Sequence, residues 1–279
     1  IDGKLITAVE EERFNRIKHW AGFPIESIKY CLNNSGLKIS DIDHISINID
    51  PRANYIKKFV FLIKHRPSIN LIFKRFIKKK KYNSIEEIIN QEFNNEKFIG
   101  KINNIEHHYA HLSSAFHVSP YDESCVLSVD GFGDFASTAW GYGLNTDIKI
   151  DNKIFFPHSL GIFYQALTQF LGFKNYGDEY KIMGLAPYGK PKYVEKLREI
   201  ISIKNKGNFE LNLKYFKFHK QDFNYRWENG KVEIDDLYSN KVVDLLGPER
   251  KKEEALTDFH KDIAHSTQKI YEEVFLNIL

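Results

Sequence analysis

The stretch Cys125-Val-Leu-Ser-Val-Asp-Gly-Phe-Gly-Asp-Phe-Ala-Ser-Thr-Ala-Trp-Gly-Tyr-Gly143, CVLSVDGFGDFASTAWGYG, reads as two strands and the tip that joins them. Cys125–Val129 suits a buried strand, Asp130-Gly-Phe-Gly-Asp134 a glycine turn, and Ser137–Gly143 a second strand. The product is a hairpin with an acidic, glycine-rich tip. Asp130 ends a buried strand, where a carboxylate is costly without a cation or hydrogen-bond donors, so a metal ligand and a cap on its own turn are equal readings. Gly131 and Gly133 would let backbone N–H groups approach a phosphate.

Upstream of the hairpin, Ile105–Phe116 (IEHHYAHLSSAF) places three of the chain's 11 histidines within five positions. His107 and His111 are four apart, so on a helix they share a face, roughly 5–6 Å apart at Cβ, and two imidazoles so placed can hold one metal. His108 points elsewhere. Because His108 follows His107, the His-Glu-x-x-His pattern of zinc proteases is absent. Asp130 is the candidate third ligand.

Further out, Asp2-Gly3 predicts a turn, Leu5–Val9 a short strand, and the charged stretch after it a helical or extended segment. Phe23–Leu32 predicts a helix, with Pro24 in its first turn and Gly36 as its C-terminal cap. Ile42–Ile49 alternates as a strand, Ile85–Phe93 suits a helix and Lys97–Ile105 a strand. Tyr55–Lys81 reads as two amphipathic segments broken at Pro67, and its closing run Lys78–Lys81 as a solvated helix end. Ser159–Phe173 has an N-cap serine and helical apolar spacing. Asp178–Gly184 reads as a loop of alternating charge beside Gly184 and Pro187. Residues 201–250 read as a variable insert with candidate strands in 208–218 and 231–237. Thr257–Leu279 predicts an amphipathic helix with Ile263, Ile270, Val274 and Ile278 on one face.

A chain of 279 residues, 42% hydrophobic, can bury one large core or two lobes. Its net charge of +3 gives no argument for nucleic acid. Cys31 and Cys125 are far apart and in no metal-type spacing, which suits a reducing cytoplasm. No apolar run has membrane length and no signal peptide opens the chain. Because Ile1 is first and Met183 is the single methionine, the chain is expected to be a fragment or processed product.

Taken together, Ala8–His19 (AVEEERFNRIKH), His107-His-x-x-His111, Ser128-Val-Asp-Gly-x-Gly133 and Asp178–Gly189 (DEYKIMGLAPYG) resemble the O-carbamoyltransferases of the nodulation and antibiotic-tailoring type. The likeness extends over nearly the whole chain, least clearly in 55–100 and 201–250. It implies an α/β, actin-like and sugar-kinase-like ATPase fold, similar to the protein that transfers threonylcarbamoyl to tRNA. Residues 1–256 would form a first lobe lacking its N-terminal strand, and 257–279 a helix leading into a missing second lobe. It further implies that carbamoyl phosphate and ATP become carbamoyl adenylate in an absent C-terminal domain, and that the present domain passes the carbamoyl group to a hydroxyl of a small molecule or glycan. The implied metal ligands are His107, His111 and Asp130, with iron(II) suggested. The ligand types alone fit zinc or manganese equally. Lys18 is an expected phosphate contact, with Arg16 nearby, and Glu179 and Lys181 are expected substrate or adenylate contacts.

Two family features are missing: the N-terminal strand with a histidine-aspartate pair that serves the acceptor, and a later glycine-rich phosphate loop. The fragment is therefore expected to bind metal without catalysing transfer. Two rivals are an actin-like regulatory domain, which would use magnesium and need neither histidine, and a non-haem iron oxygenase, whose many short alternating strands the sequence lacks.

Overall fold

The computed structural model describes residues 1–20, 22–65, 85–93, 96–220, 225–228 and 231–279. In chain order its elements are α1 (Glu12–Asn15), α2 (Ile25–Ser35), β1 (His44–Ile47), α3 (Tyr55–His65), α4 (Ile85–Glu92), β2 (Lys101–Asn104), α5 (His107–Phe116), β3 (Glu123–Gly133), β4 (Ala136–Leu144) and β5 (Asp147–Phe155). They continue with α6 (Leu160–Phe170), α7 (Glu179–Leu185), α8 (Val194–Leu197), β6 (Ile201–Ile203), β7 (Phe209–Leu211), β8 (Tyr225–Glu228), β9 (Lys231–Ile234), α9 (Asn240–Leu246) and α10 (Asp258–Ile278). The class is mixed α/β, and the chain divides into two compact units.

The first unit holds Ile1–Ile47, the described part of 67–104, and Arg226–Val232. β1 and β2 pair in parallel, His44 opposite Lys101 through Ile47 opposite Asn104. Leu32, Ile39 and Ile89 form its small core, with Ile28, Ile45 and Phe98 packed against them. Gly36 ends α2 at φ 68°, a left-handed position that suits glycine. Pro24 offers α2 no side-chain cap; instead Glu11 accepts from Ser27 N (2.8 Å) and Glu26 N (3.3 Å). The acidic run before the helix thus satisfies the helix's free N–H groups. The strand expected over Leu5–Val9 does not form, and Leu5 is 80% exposed. A strand needs a neighbour to complete its ladder, and among the described residues this segment has none.

The second unit is built on an antiparallel meander, β3-β4-β5. Glu123 faces Leu144 and Val129 faces Thr138 in one ladder, and Leu144 faces Asp147 in the other. Strand alternation sends successive side chains to opposite faces. Val126, with Ala139 and Ile148, packs under Leu112 and Phe116 of α5. Leu127 and Val129 point the other way, towards the large core of Phe163, Leu167 and Phe170 on α6 and Ile263, Ile270 and Val274 on α10. The meander therefore carries helices on both faces, and β5 is a strand that the sequence reading left unassigned.

Three other expectations change. The hairpin does not turn over Asp130–Asp134: β3 runs on to Gly133 with a register shift after Val129, and the reversal is made by Asp134 (φ 48°) and Phe135 (φ 74°). Asp178–Gly184 is not a loop but the start of α7. Glu179 and Lys181 are half-buried while Asp178 and Ile182 are buried, and Lys181 reaches back 2.6 Å to Asp178. Within 201–250, Phe209, Leu211, Tyr215, Phe216, Tyr238 and Leu246 enter the large core, so those parts of the segment pack into the second unit. The helix expected at Ser159 is as read, with Ser159 Oγ accepting from Ile162 N (3.0 Å). α3 matches the first amphipathic segment after residue 55; the second segment and Lys78–Lys81 lie outside the described residues.

Candidate metal centre

α5 begins at His107 because Glu106 caps it, accepting from Tyr109 N at 2.8 Å. Lys153 on β5 meets the same carboxylate at 2.9 Å, with both side chains 16% exposed. Burial pushes Glu106 up, but Lys153 and the Tyr109 N–H outweigh it and hold the carboxyl below its ordinary value. The helix start is thereby pinned to the sheet beneath it.

One turn of α5 brings His111 over His107, and the even-numbered face of β3 brings Asp130 up to both. His107 Nε2 lies 2.8 Å from Asp130 Oδ2, His111 Nε2 lies 3.5 Å from the same oxygen, and the two Nε2 atoms are 3.0 Å apart. These are the residues that, among those described, gather as a potential metal site, with donor atoms within 4.8 Å of one another. The set fits an ion: donors ~2.1 Å from one metal and at right angles to each other stand ~3.0 Å apart. Without an ion, the hydrogen bond from His107 drives Asp130 down to about 2 against the opposing effect of burial. The same bond raises His107, again against burial.

Surrounding groups aim these side chains. His107 Nδ1 lies 3.2 Å from the Asn48 carbonyl, which can only accept, so Nδ1 carries a proton and Nε2 is the nitrogen turned towards Asp130 and His111. Asp134 Oδ2 accepts from His107 N (3.0 Å) and Asp50 N (2.8 Å), and Asn54 Nδ2 donates to the Asp134 carbonyl (2.9 Å). One turn residue thus fastens 48–54 to the first turn of α5. Asp130 Oδ1 takes the Gly131 N–H at 2.6 Å. His108, next along α5, is fully buried against β3 with Nδ1 2.9 Å from Ser128 Oγ, and burial keeps its pKa low. It is a core histidine.

The glycines divide. A Cβ on Gly133 would run into the His107 ring, 2.5 Å from Nε2 and nearer to Cγ and Cδ2, whereas a Cβ on Gly131 would meet open space. Gly161, which sequence reasoning missed, lets α6 approach β3: its Cβ would stand 2.8 Å from the Asp130 carbonyl oxygen. Ser159 Oγ donates to that same oxygen at 3.0 Å. The positive end of α6 is therefore set beside Asp130.

Of the expected site residues, the structure brings together His107, His111, Asp130 and Gly133, with Gly131 adjoining. Glu179 and Lys181 stand on α7 in the same unit, and the Lys181 ammonium is engaged by Asp178. Lys18 is exposed in the first unit, after α1. Glu106, Asn48, Asp134 and Gly161 were not singled out from sequence. The available signals were an acidic residue directly before a histidine helix and a glycine just after an N-cap serine.

A family model described as the carbamoyltransferase N-terminus matches residues 1–279. The chain belongs to this family. It is 34% identical to an uncharacterized protein of Synechocystis sp. over 99% of this chain and 44% of the relative. It is 32% identical to the nodulation protein NolNO of Sinorhizobium fredii over 100% of this chain and 36% of that protein. An uncharacterized protein of Methanocaldococcus jannaschii is 28% identical over 72% of this chain and 34% of its own length. The chain thus spans less than half the length of these relatives. Among the described residues, no helix is long and apolar enough to cross a membrane.

Proposed function

We propose that this chain forms part of the metal-containing transfer domain of a cytoplasmic O-carbamoyltransferase, one that passes a carbamoyl group from carbamoyl adenylate to a hydroxyl of a small molecule or glycan. The observation that carries it is the convergence of His107, His111 and Asp130, in a chain whose family match covers every residue. The family resemblance favours iron(II); two imidazoles and one carboxylate accept zinc or manganese as well. In the reaction the acceptor oxygen bonds to the carbamoyl carbon and gives up its hydroxyl proton, which passes to solvent, the bond from that carbon to the phosphate oxygen breaks, and AMP leaves. A divalent ion held by the three residues would supply positive charge where the phosphate becomes more negative.

The chain's own groups would add to this. The open space over Gly131 lets a phosphate come close to the backbone, and the N-terminus of α6 favours an anion there. Lys18 would contact phosphate, while Glu179 and Lys181 would bind the adenylate or acceptor from α7, with Asp178 holding the ammonium in place. The meander with helices on both faces supports the actin-like, sugar-kinase-like reading of the fold, with ATP and carbamoyl phosphate consumed in a further domain.

The test is elemental analysis of the purified chain and of His111→Ala. Near-stoichiometric metal that disappears in the variant, with folding retained, supports the reading and justifies assaying carbamoyl phosphate turnover in the full-length protein. Absence of metal in both would favour a regulatory nucleotide-binding domain instead.

A further inference from the structure

Apart from the metal residues, the second unit contains a groove of about 600 Å³ between α3 and the end of β5. That size lies within the range of small-molecule sites. Its apolar side is a three-ring cluster: Phe61 lies 4.9 Å from Phe156 and 5.7 Å from Phe135 between centroids, and Phe135 lies 5.4 Å from Phe156. Its polar side is basic. Lys153 is bound to Glu106 at 2.9 Å and Lys204 to Glu210 at 3.5 Å. Lys57 sits 5.0 Å over the Phe155 ring, and neither it nor Lys64 has an acidic partner among the described residues.

We infer that this groove is a binding site for an aromatic carboxylate, distinct from the metal centre. A planar apolar body finds ring edges and faces to pack on, and a single negative group finds the ammonium groups of Lys57 and Lys64 at the rim. None of His107, His111 and Asp130 lines the groove, so its occupancy does not depend on the transfer reading. It does adjoin the centre: Phe135 follows Asp134, which holds the first turn of α5, and Lys153 holds Glu106, which caps that helix. A ligand in the groove would touch Phe135 and Lys153, the immediate neighbours of the two groups that hold the start of α5.

The experiment titrates the full-length protein with 2-naphthoate and with its neutral isostere 2-naphthamide, by calorimetry. Saturable binding of the carboxylate is expected, with the amide about tenfold weaker, as the loss of one charge-assisted hydrogen bond requires. Lys57→Gln/Lys64→Gln should weaken naphthoate by a similar factor, and Lys252→Gln/Lys269→Gln, with the same change of charge elsewhere, should leave it unchanged. Equal binding of acid and amide, an unaffected Lys57/Lys64 variant, or no saturable binding would each overturn the proposal. Displacement of naphthoate by AMP would assign the groove to the transfer nucleotide and overturn it as a separate site.

Discussion

Replacing Gly133 by alanine should empty the metal centre while leaving the fold in place. The added Cβ would lie 2.5 Å from His107 Nε2 and nearer still to two carbons of the ring, including Cγ, which is fixed by the first side-chain torsion. Ordinary carbon contacts need ~3.5–4.0 Å, so the ring must retreat by ~1 Å or more. Coordination distances tolerate only about ±0.2 Å, so that retreat exceeds the tolerance roughly fivefold and His107 ceases to be a ligand. The cost to the fold is that of a local overpacking, about 1–3 kcal/mol, because α5 keeps its cap and its apolar contacts. Gly131→Ala is the matched control, since its Cβ enters open space. Both variants would be purified, analysed for bound metal, and titrated with urea. Retention of metal at wild-type affinity by Gly133→Ala, with normal folding, would refute the assignment of His107 as a ligand in this geometry.

Metal affinity should also fall with acid, by about tenfold per pH unit for each proton displaced. The sign follows from His107, which the hydrogen bond to Asp130 keeps protonated to higher pH than an ordinary imidazole of about 6.5: metal binding must remove that proton, so competition begins above that ordinary value and grows as pH falls. Chelator competition between neutral pH and mild acid measures it, and a flat profile would count against ligation by histidine. Asp134→Ala should cost about 1–2 kcal/mol as a lost cap and weaken metal about 10–100-fold, because it releases both His107 N and the 48–54 segment. Unchanged metal affinity would show that Asn48 orients His107 unaided. Lys153→Met should destabilise the chain by about 2 kcal/mol in urea, since it strands the half-buried Glu106 carboxylate. A smaller loss together with normal metal content would mean that solvent already screens the pair.

Much of the site was legible because its pieces are local. A spacing of four on a helix puts His107 and His111 on one face whatever packs beneath, and Ser159 announces a helix start by the hydrogen bond its hydroxyl can make. Alternation along β3 sends Asp130 to the same side as Val126 and Ser128, the side that faces α5. What remained illegible depends on partners distant in sequence. Leu5–Val9 has the composition of a strand yet finds no ladder, and Asp178–Gly184 has the charges of a loop yet becomes a helix, because Ile182 has a core to enter. Residues 201–250 read as a variable insert, and the packing of Phe209, Tyr215, Phe216 and Tyr238 into the large core could not be read from their irregular pattern.

The sequence by itself therefore determined the helix and strand that carry His107, His111 and Asp130, and the chemistry those side chains have. Tertiary structure alone decided the distances. Whether Asp130 stands 2.8 Å from His107, whether Gly133 is indispensable while Gly131 is free, and whether Asp134 serves a turn or a helix 27 residues away depend on how α5 lies across the meander. Periodicity states which face a side chain occupies, and only close packing of one element on another states what it meets there.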